Sequence, residues 1–171
     1  MGFDFISIDP GVACGWAAWR RGRKLPVRCG TIVPHRGDWQ DRVDEVCRLL
    51  GGLRDYCPQK AYIEYPAFFE TSGGKTSARS GALVKLAYAC GRIHETCRYL
   101  VEKNVVSVPV NQWKGQLPKA AINSRILRYY AKQYGSKSRA RRELESVGAS
   151  HNQSHDWDSI GLGLWVKGVF R

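Results

Sequence analysis

Three acids and a histidine in this chain stand where ordinary surface charge is a poor account of them. Asp9 follows the apolar run Phe3 to Ile8 and starts an Asp-Pro-Gly turn. Glu64 lies inside Ala61-Tyr62-Ile63-Glu64-Tyr65-Pro66, and Asp158 opens the otherwise apolar segment Asp158-Ser159-Ile160-Gly161-Leu162-Gly163. A carboxylate in such surroundings gives up hydration and needs a compensating partner. Taken singly, each has an ordinary reading as a salt-bridge partner or a helix-dipole complement. Taken together they suggest hydrolysis of a phosphodiester, because hard divalent cations prefer carboxylate oxygens. Two such ions roughly 4 Å apart supply an activated water and a counter-charge for the leaving oxygen. His155 precedes Asp158 by three residues, a spacing that puts both on one helix face, so a neutral imidazole can join as a ligand. Asp156 is the alternative fourth ligand, but two positions from Asp158 it turns away and is expected at the helix N-terminus. His151 lies about one turn earlier, in a loop.

The elements that must bring these residues together can be read from periodicity. Phe3 to Ile8 reads as a first strand broken by Asp9-Pro10-Gly11, and Gly15 to Trp19 and Val27 to Val33 as two further strands of an antiparallel meander. From Trp39 to Tyr56 apolar residues recur at helical spacing. Lys60 to Tyr65 reads as a strand stopped by Pro66, residues 72–80 as a loop, and Gly81 to Glu102 as a helix. Val105 to Val110 is a β-branched strand. Pro118 fits the first turn of a helix that runs to about Tyr134 and ends at Gly135, and a last helix starts near Ser154. The order predicts one α/β domain over residues 1–171, a mixed sheet flanked by helices. Asp9, Glu64 and Asp158 converge if the first and fourth strands are neighbours. Lys132 to Arg142, basic and poor in apolar residues, reads either as a mobile loop or as a solvated charged face.

Length and charge narrow the partner. With 171 residues and 43% hydrophobic content the chain can bury a core without cross-links. Lys and Arg number 27 against 15 acids, a formal charge of +12 that points to a polyanion, nucleic acid first. No apolar stretch approaches the roughly 18 residues of a spanning helix, and no secretory signal is recognisable. The expectation is a soluble cytoplasmic protein of a bacterial or phage-infected cell, with no membrane partner. Its six cysteines form no C-x-x-C pair and read as reduced, small, partly buried side chains.

These residues resemble the RuvC-type Holliday junction resolvases of the RNase H-like superfamily, possibly a bacteriophage member. Ile8-Asp9-Pro10-Gly11 with Gly15 is similar to that family's first motif, and Ile63-Glu64 to its second acid. Residues 80–92 resemble its long helix, and Val108-Pro109 with Trp113-Lys114 and Lys119 a segment carrying DNA-contacting lysines. His155 and Asp158 fall on its closing pair of ligands. The last helix departs from the family's Asp-Ala run, although serine and glycine are equally small and allow close packing on the sheet. The resemblance implies an RNase H-like mixed sheet with its first three strands antiparallel, a homodimer, and two Mg2+ or Mn2+ ions per site. Asp9 would bridge the ions, with Glu64 on one and Asp158 and His155 on the other. It implies cleavage of branched DNA by paired hydrolysis. Lys85, Lys114, Lys119, Arg139, Arg141 and Arg142 would contact phosphates, and Phe68 or Phe69, neither in strict register with the family's aromatic, would wedge the junction unless both belong to the core.

Three other readings compete. A nuclease acting on flaps or RNA–DNA hybrids would use the same acids. A non-catalytic DNA-binding protein of the same fold would need only the basic charge. An actin-like phosphotransferase shares an Asp-x-Gly turn, but needs two domains, and Ser72-Gly73-Gly74-Lys75-Thr76 lacks the first glycine of a P-loop.

Overall fold

The computed structural model describes residues 2–66, 81–115, 117–151 and 155–170. Among these, five strands form one sheet: β1 (Phe5–Asp9), β2 (Cys14–Trp19), β3 (Arg28–Ile32), β4 (Lys60–Tyr65) and β5 (Asn104–Pro109), in the order β3-β2-β1-β4-β5. β1, β2 and β3 are antiparallel, whereas β4 runs parallel to β1 and β5 parallel to β4. This is the mixed α/β sheet expected from the sequence, with the first and fourth strands adjacent. The helices are α1 (Trp39–Gly51), α2 (Ala82–Leu100), the one-turn α3 (Val110–Trp113), α4 (Lys119–Tyr134), α5 (Lys137–Ser146) and α6 (His155–Val166).

The two-residue period of a strand sorts the side chains between the two faces. Ile6, Ile8, Ala61 and Ile63 pack with Val43, Val46 and Leu50 of α1 and with Ala89, Ile93 and Cys97 of α2. Phe5 and Tyr62 take the opposite face with Trp19, Trp157, Ile160 and the α4 residues Ile122, Ile126 and Tyr130. Alternation therefore sends Asp9 and Glu64 to that second face. Since Ile8 pairs with Ile63, the two acids stand one step further along neighbouring parallel strands.

α6 fixes the third acid. Its residues Asp156 to Leu164 are all buried, as expected of an interior helix with no polar stripe. The small side chains of this helix permit its depth, as expected from the sequence. A Cβ on Gly161 would lie 2.9 Å from the Trp113 ring, and one on Gly163 would lie 2.3 Å from the Trp19 ring. Ser7 ties the helix to the sheet: its Oγ donates to the Ser159 carbonyl at 2.7 Å and accepts from Trp19 Nε1 at 2.8 Å.

Three expectations need correction. The helix expected over Trp39 to Tyr56 is α1 followed by a 3-10 segment, Gly52–Tyr56, because Gly51-Gly52 weakens the α-helix and the chain tightens there. The stretch Lys132 to Arg142 is not a loop. It contains the end of α4 and the start of α5, which Ser136 caps by accepting from Arg139 N at 3.2 Å. α5 has few apolar residues, but Ala140 and Leu144 are four apart and buried on the second face. The order also gains α3, one turn where β5 was read as running on to Val110. The six cysteines are free, five of them buried and Cys57 exposed. Among the described residues no helix is long and apolar enough to cross a membrane.

Candidate active site

Asp9 ends β1 with its side chain almost covered, and its antiparallel partner is Gly15 of β2. Gly15 has to be glycine, because a Cβ there would fall on the carbonyl of His155. The bare backbone lets the start of α6 sit directly on β2, and His155 Nδ1 then lies 2.6 Å from Asp9 Oδ2. Glu64 is held from the end of α3: Trp113 Nε1 donates to Oε2 at 3.0 Å, and Nζ of Lys114, the C-cap residue, lies 3.1 Å from Oε1. Lys119, the first residue of α4, places Nζ 2.9 Å from Asp158 Oδ2. Lys114 also stands 3.6 Å from Asp158 Oδ1, so one ammonium lies between two acids supplied by β4 and α6.

Crowding sets the protonation. Burial, followed by the nearby Asp9, pushes the Glu64 carboxyl up to about 7 although Lys114 pulls it down. Burial also raises Asp9, and Asp158 adds to the rise, while the His155 hydrogen bond opposes it. His155 is raised, chiefly by that same hydrogen bond. Both directions mean that the Asp9–His155 pair holds on to a proton. Burial alone would lower Lys114, but Glu64, Asp158 and Asp9 outweigh it and keep the ammonium charged.

The donor set fits a hard divalent cation in type. It offers three carboxylates and an imidazole, and the buried Asp158 Oδ1 has no hydrogen-bond partner. Among the described residues no three such donors are set to grip one ion as they stand. The acids are turned instead to Lys114, Lys119, Trp113 and His155, whose charges and N–H groups balance them.

The four residues singled out from the sequence thus come together from β1, β4 and α6. Asp156 does not join them, and its expected place at the helix N-terminus becomes a tie between loop and sheet. Its carboxylate accepts from Ser150 N and Oγ and from Thr31 Oγ1, pinning the loop before α6 to β3. His151 pairs with Glu145 of α5 at 3.0 Å. Lys114 and Lys119 are drawn into the acid cluster. Lys85 lies on α2 with its ammonium 5.7 Å over the Trp39 ring, and Arg139, Arg141 and Arg142 lie on α5, Arg139 and Arg142 exposed. Phe68 and Phe69 fall outside the described residues. Sequence reading missed Trp113 as the clamp on Glu64 and Ser7 as the tie to α6. An indole four residues after a strand gives no local signal of what its N–H will meet.

The sheet order and the helices that flank it define an RNase H-like mixed α/β fold. A Thermus thermophilus RuvC in complex with a Holliday junction substrate is similar over 96% of this chain and 96% of its own, with a TM-score of 0.55 at 13% identity. The yeast mitochondrial Holliday junction resolvase Ydc2 aligns over 94% of this chain and 78% of its own, with a TM-score of 0.43 at 14% identity. The sequence matches no protein-family model and no curated protein.

Proposed function

We propose that this protein is a divalent-metal-dependent endonuclease that cuts branched DNA, Holliday junctions foremost. The observation that carries the reading is the convergence of Asp9, Glu64 and Asp158, from β1, β4 and α6, into one buried cluster, where burial first and the neighbouring Asp9 second lift Glu64 to about 7. Carboxylates this close favour a cation over three separate charges. Asp9, Glu64, Asp158 and His155 would hold Mg2+ or Mn2+, which when bound supplies a nucleophilic water near neutral pH and a counter-charge for the leaving oxygen.

The chain's own groups have distinct tasks. Trp113 Nε1 fixes Glu64 through Oε2 and leaves Oε1 turned to Lys114. His155 shares a proton with Asp9 through Nδ1 and, once neutral, offers a ring nitrogen as a donor. Lys114 and Lys119 neutralise the acids in the free protein and are placed to turn to phosphate oxygens when DNA arrives. The fold shared with a junction-bound RuvC supports junctions as the substrate, and the net charge of +12 supports binding through the backbone. A homodimer would present two sites to a four-armed substrate, which is how paired cuts would arise.

The second reading, a non-catalytic DNA-binding protein, draws on the lysines that already balance the acids. One panel separates the readings: a four-way junction, a flap, an RNA–DNA hybrid and a linear duplex, each with Mg2+ or Mn2+. Paired nicks confined to the junction are expected. Cutting of the hybrid or flap instead would move the substrate class, and binding without any cut would leave the non-catalytic reading.

A further inference from the structure

The excess of positive charge is not spread evenly over the fold. α4 carries Lys119, Arg125, Arg128 and Lys132 and no acid, whereas α1 carries Asp41, Asp44 and Glu45 against two arginines. On α4 the buried residues are Ile122, Asn123, Ile126 and Tyr130, and Arg125, Arg128 and Lys132 are all exposed. Their spacing of three and four sets these three on one side of the helix, away from the core. Lys119 is on the other side, turned to Asp158, so the outward row is not part of the acid cluster.

A second acid-free element is clamped beside this row. The β2–β3 connection turns through Gly22, at φ +79°, and reads Arg20-Arg21-Gly22-Arg23-Lys24. Lys24 Nζ donates to Gln133 of α4, Tyr130 of α4 donates through its hydroxyl to the Lys24 carbonyl at 3.0 Å, and Lys167 Nζ donates to the Arg23 carbonyl at 2.7 Å. Asp4 accepts from the Arg21 amide. The hairpin tip therefore cannot swing independently of the end of α4, and its exposed Arg21, Arg23 and Lys24 hold a fixed relation to Arg128 and Lys132. It lies at the end of β2 opposite Cys14, so it is at the pole of the sheet away from Asp9.

We propose that the outward face of α4 and the β2–β3 hairpin form one binding surface for the phosphate backbone of duplex DNA, distinct from the acid cluster. Arg125 to Lys132 spans seven residues, about 10 Å at 1.5 Å per residue. Phosphates of one strand advance about 3.4 Å per step, so the row covers about three of them. Arg125 also lies over the Phe170 ring at 5.7 Å, which restricts its head group before any ligand arrives. Such a surface carries no base readout and binds any duplex segment, including the arm of a branched substrate. It needs no cutting by the acids, and it stands or falls separately from the proposed nuclease.

The test is binding of a 20-base-pair duplex in EDTA, measured by fluorescence anisotropy at several salt concentrations. The triple variant Arg125→Gln, Arg128→Gln, Lys132→Gln is compared with Arg36→Gln, Arg48→Gln, Arg54→Gln, which removes the same charge around α1. Thermal melts of both confirm folding. The α4 triple is expected to lower the slope of log K against log salt by about 2 to 3 and affinity by at least about tenfold, with the α1 triple near wild type. Equal losses in both triples would reduce the effect to net charge, and no loss in the α4 triple would remove the surface; either result overturns the proposal. Loss of junction cutting with this contrast intact would count against the nuclease alone.

Discussion

At the scale of single residues the site is a problem in balancing charge. Glu64 titrates at about 7 in the folded chain against an ordinary 4.5. The folded form then holds its proton more tightly than the unfolded one, so this contribution to stability is complete below about 4.5 and is lost as pH rises through 7. Glu64→Gln, neutral at every pH, is expected to melt near wild type at pH 4.5. In EDTA at pH 8 it should be more stable by about 1 to 2 kcal/mol, a few degrees in Tm. A difference that does not change with pH would contradict the assignment. Trp113→Phe keeps an aromatic ring but removes the N–H that holds Glu64, together with the far edge of the indole that packs on Gly161. Cleavage is expected to fall about 10- to 100-fold, more than the accompanying drop in melting temperature accounts for. The acids themselves were legible in the sequence because carboxylates amid apolar residues stand out. Trp113, Ser7 and the lysine between two acids were not, since their meaning depends on what another element brings to them.

At the scale of elements, position is set by what is missing as much as by what is present. Gly15 and Gly163 let α6 lie on β2, and the pair decides whether Asp158 and His155 reach Asp9. Gly15→Ala is expected to destabilise the fold by at least about 2 kcal/mol in urea unfolding and to lose cleavage, because the atom it collides with is backbone. A variant with wild-type stability and activity would show that α6 is not docked this way. The strands were readable because alternation and the Pro and Gly breaks have a short range. α5 was not, since Ala140 and Leu144 are its only buried residues in a run of Lys, Arg and Ser, and the helix is fixed by its burial on the second face, which no local pattern announces.

At the scale of the whole molecule, a mixed sheet with its first three strands antiparallel could be read from the succession of elements and the resemblance, whereas the parallel pairing of β1 with β4 comes from the structure. The polarity of charge between the α1 and α4 sides could not be read, because composition records only the sum. A cation that binds the folded acids and not the unfolded chain must stabilise the fold by RT ln(1 + [M]/Kd). Mg2+ or Mn2+ at about 100 times its Kd should add about 2.7 kcal/mol. Melting temperature against metal concentration is expected to rise for wild type and to stay flat for Asp158→Asn; a parallel rise in both would place the ion elsewhere. The most direct test of the central claim is cleavage of a synthetic four-way junction with Mg2+ and with Mn2+ by wild type, Asp9→Asn and Asp158→Asn, with binding measured alongside. Paired nicks by wild type, lost in both variants while the junction is still bound, are expected. A junction bound by wild type and never cut with either metal would contradict the account and leave the acids with a structural role.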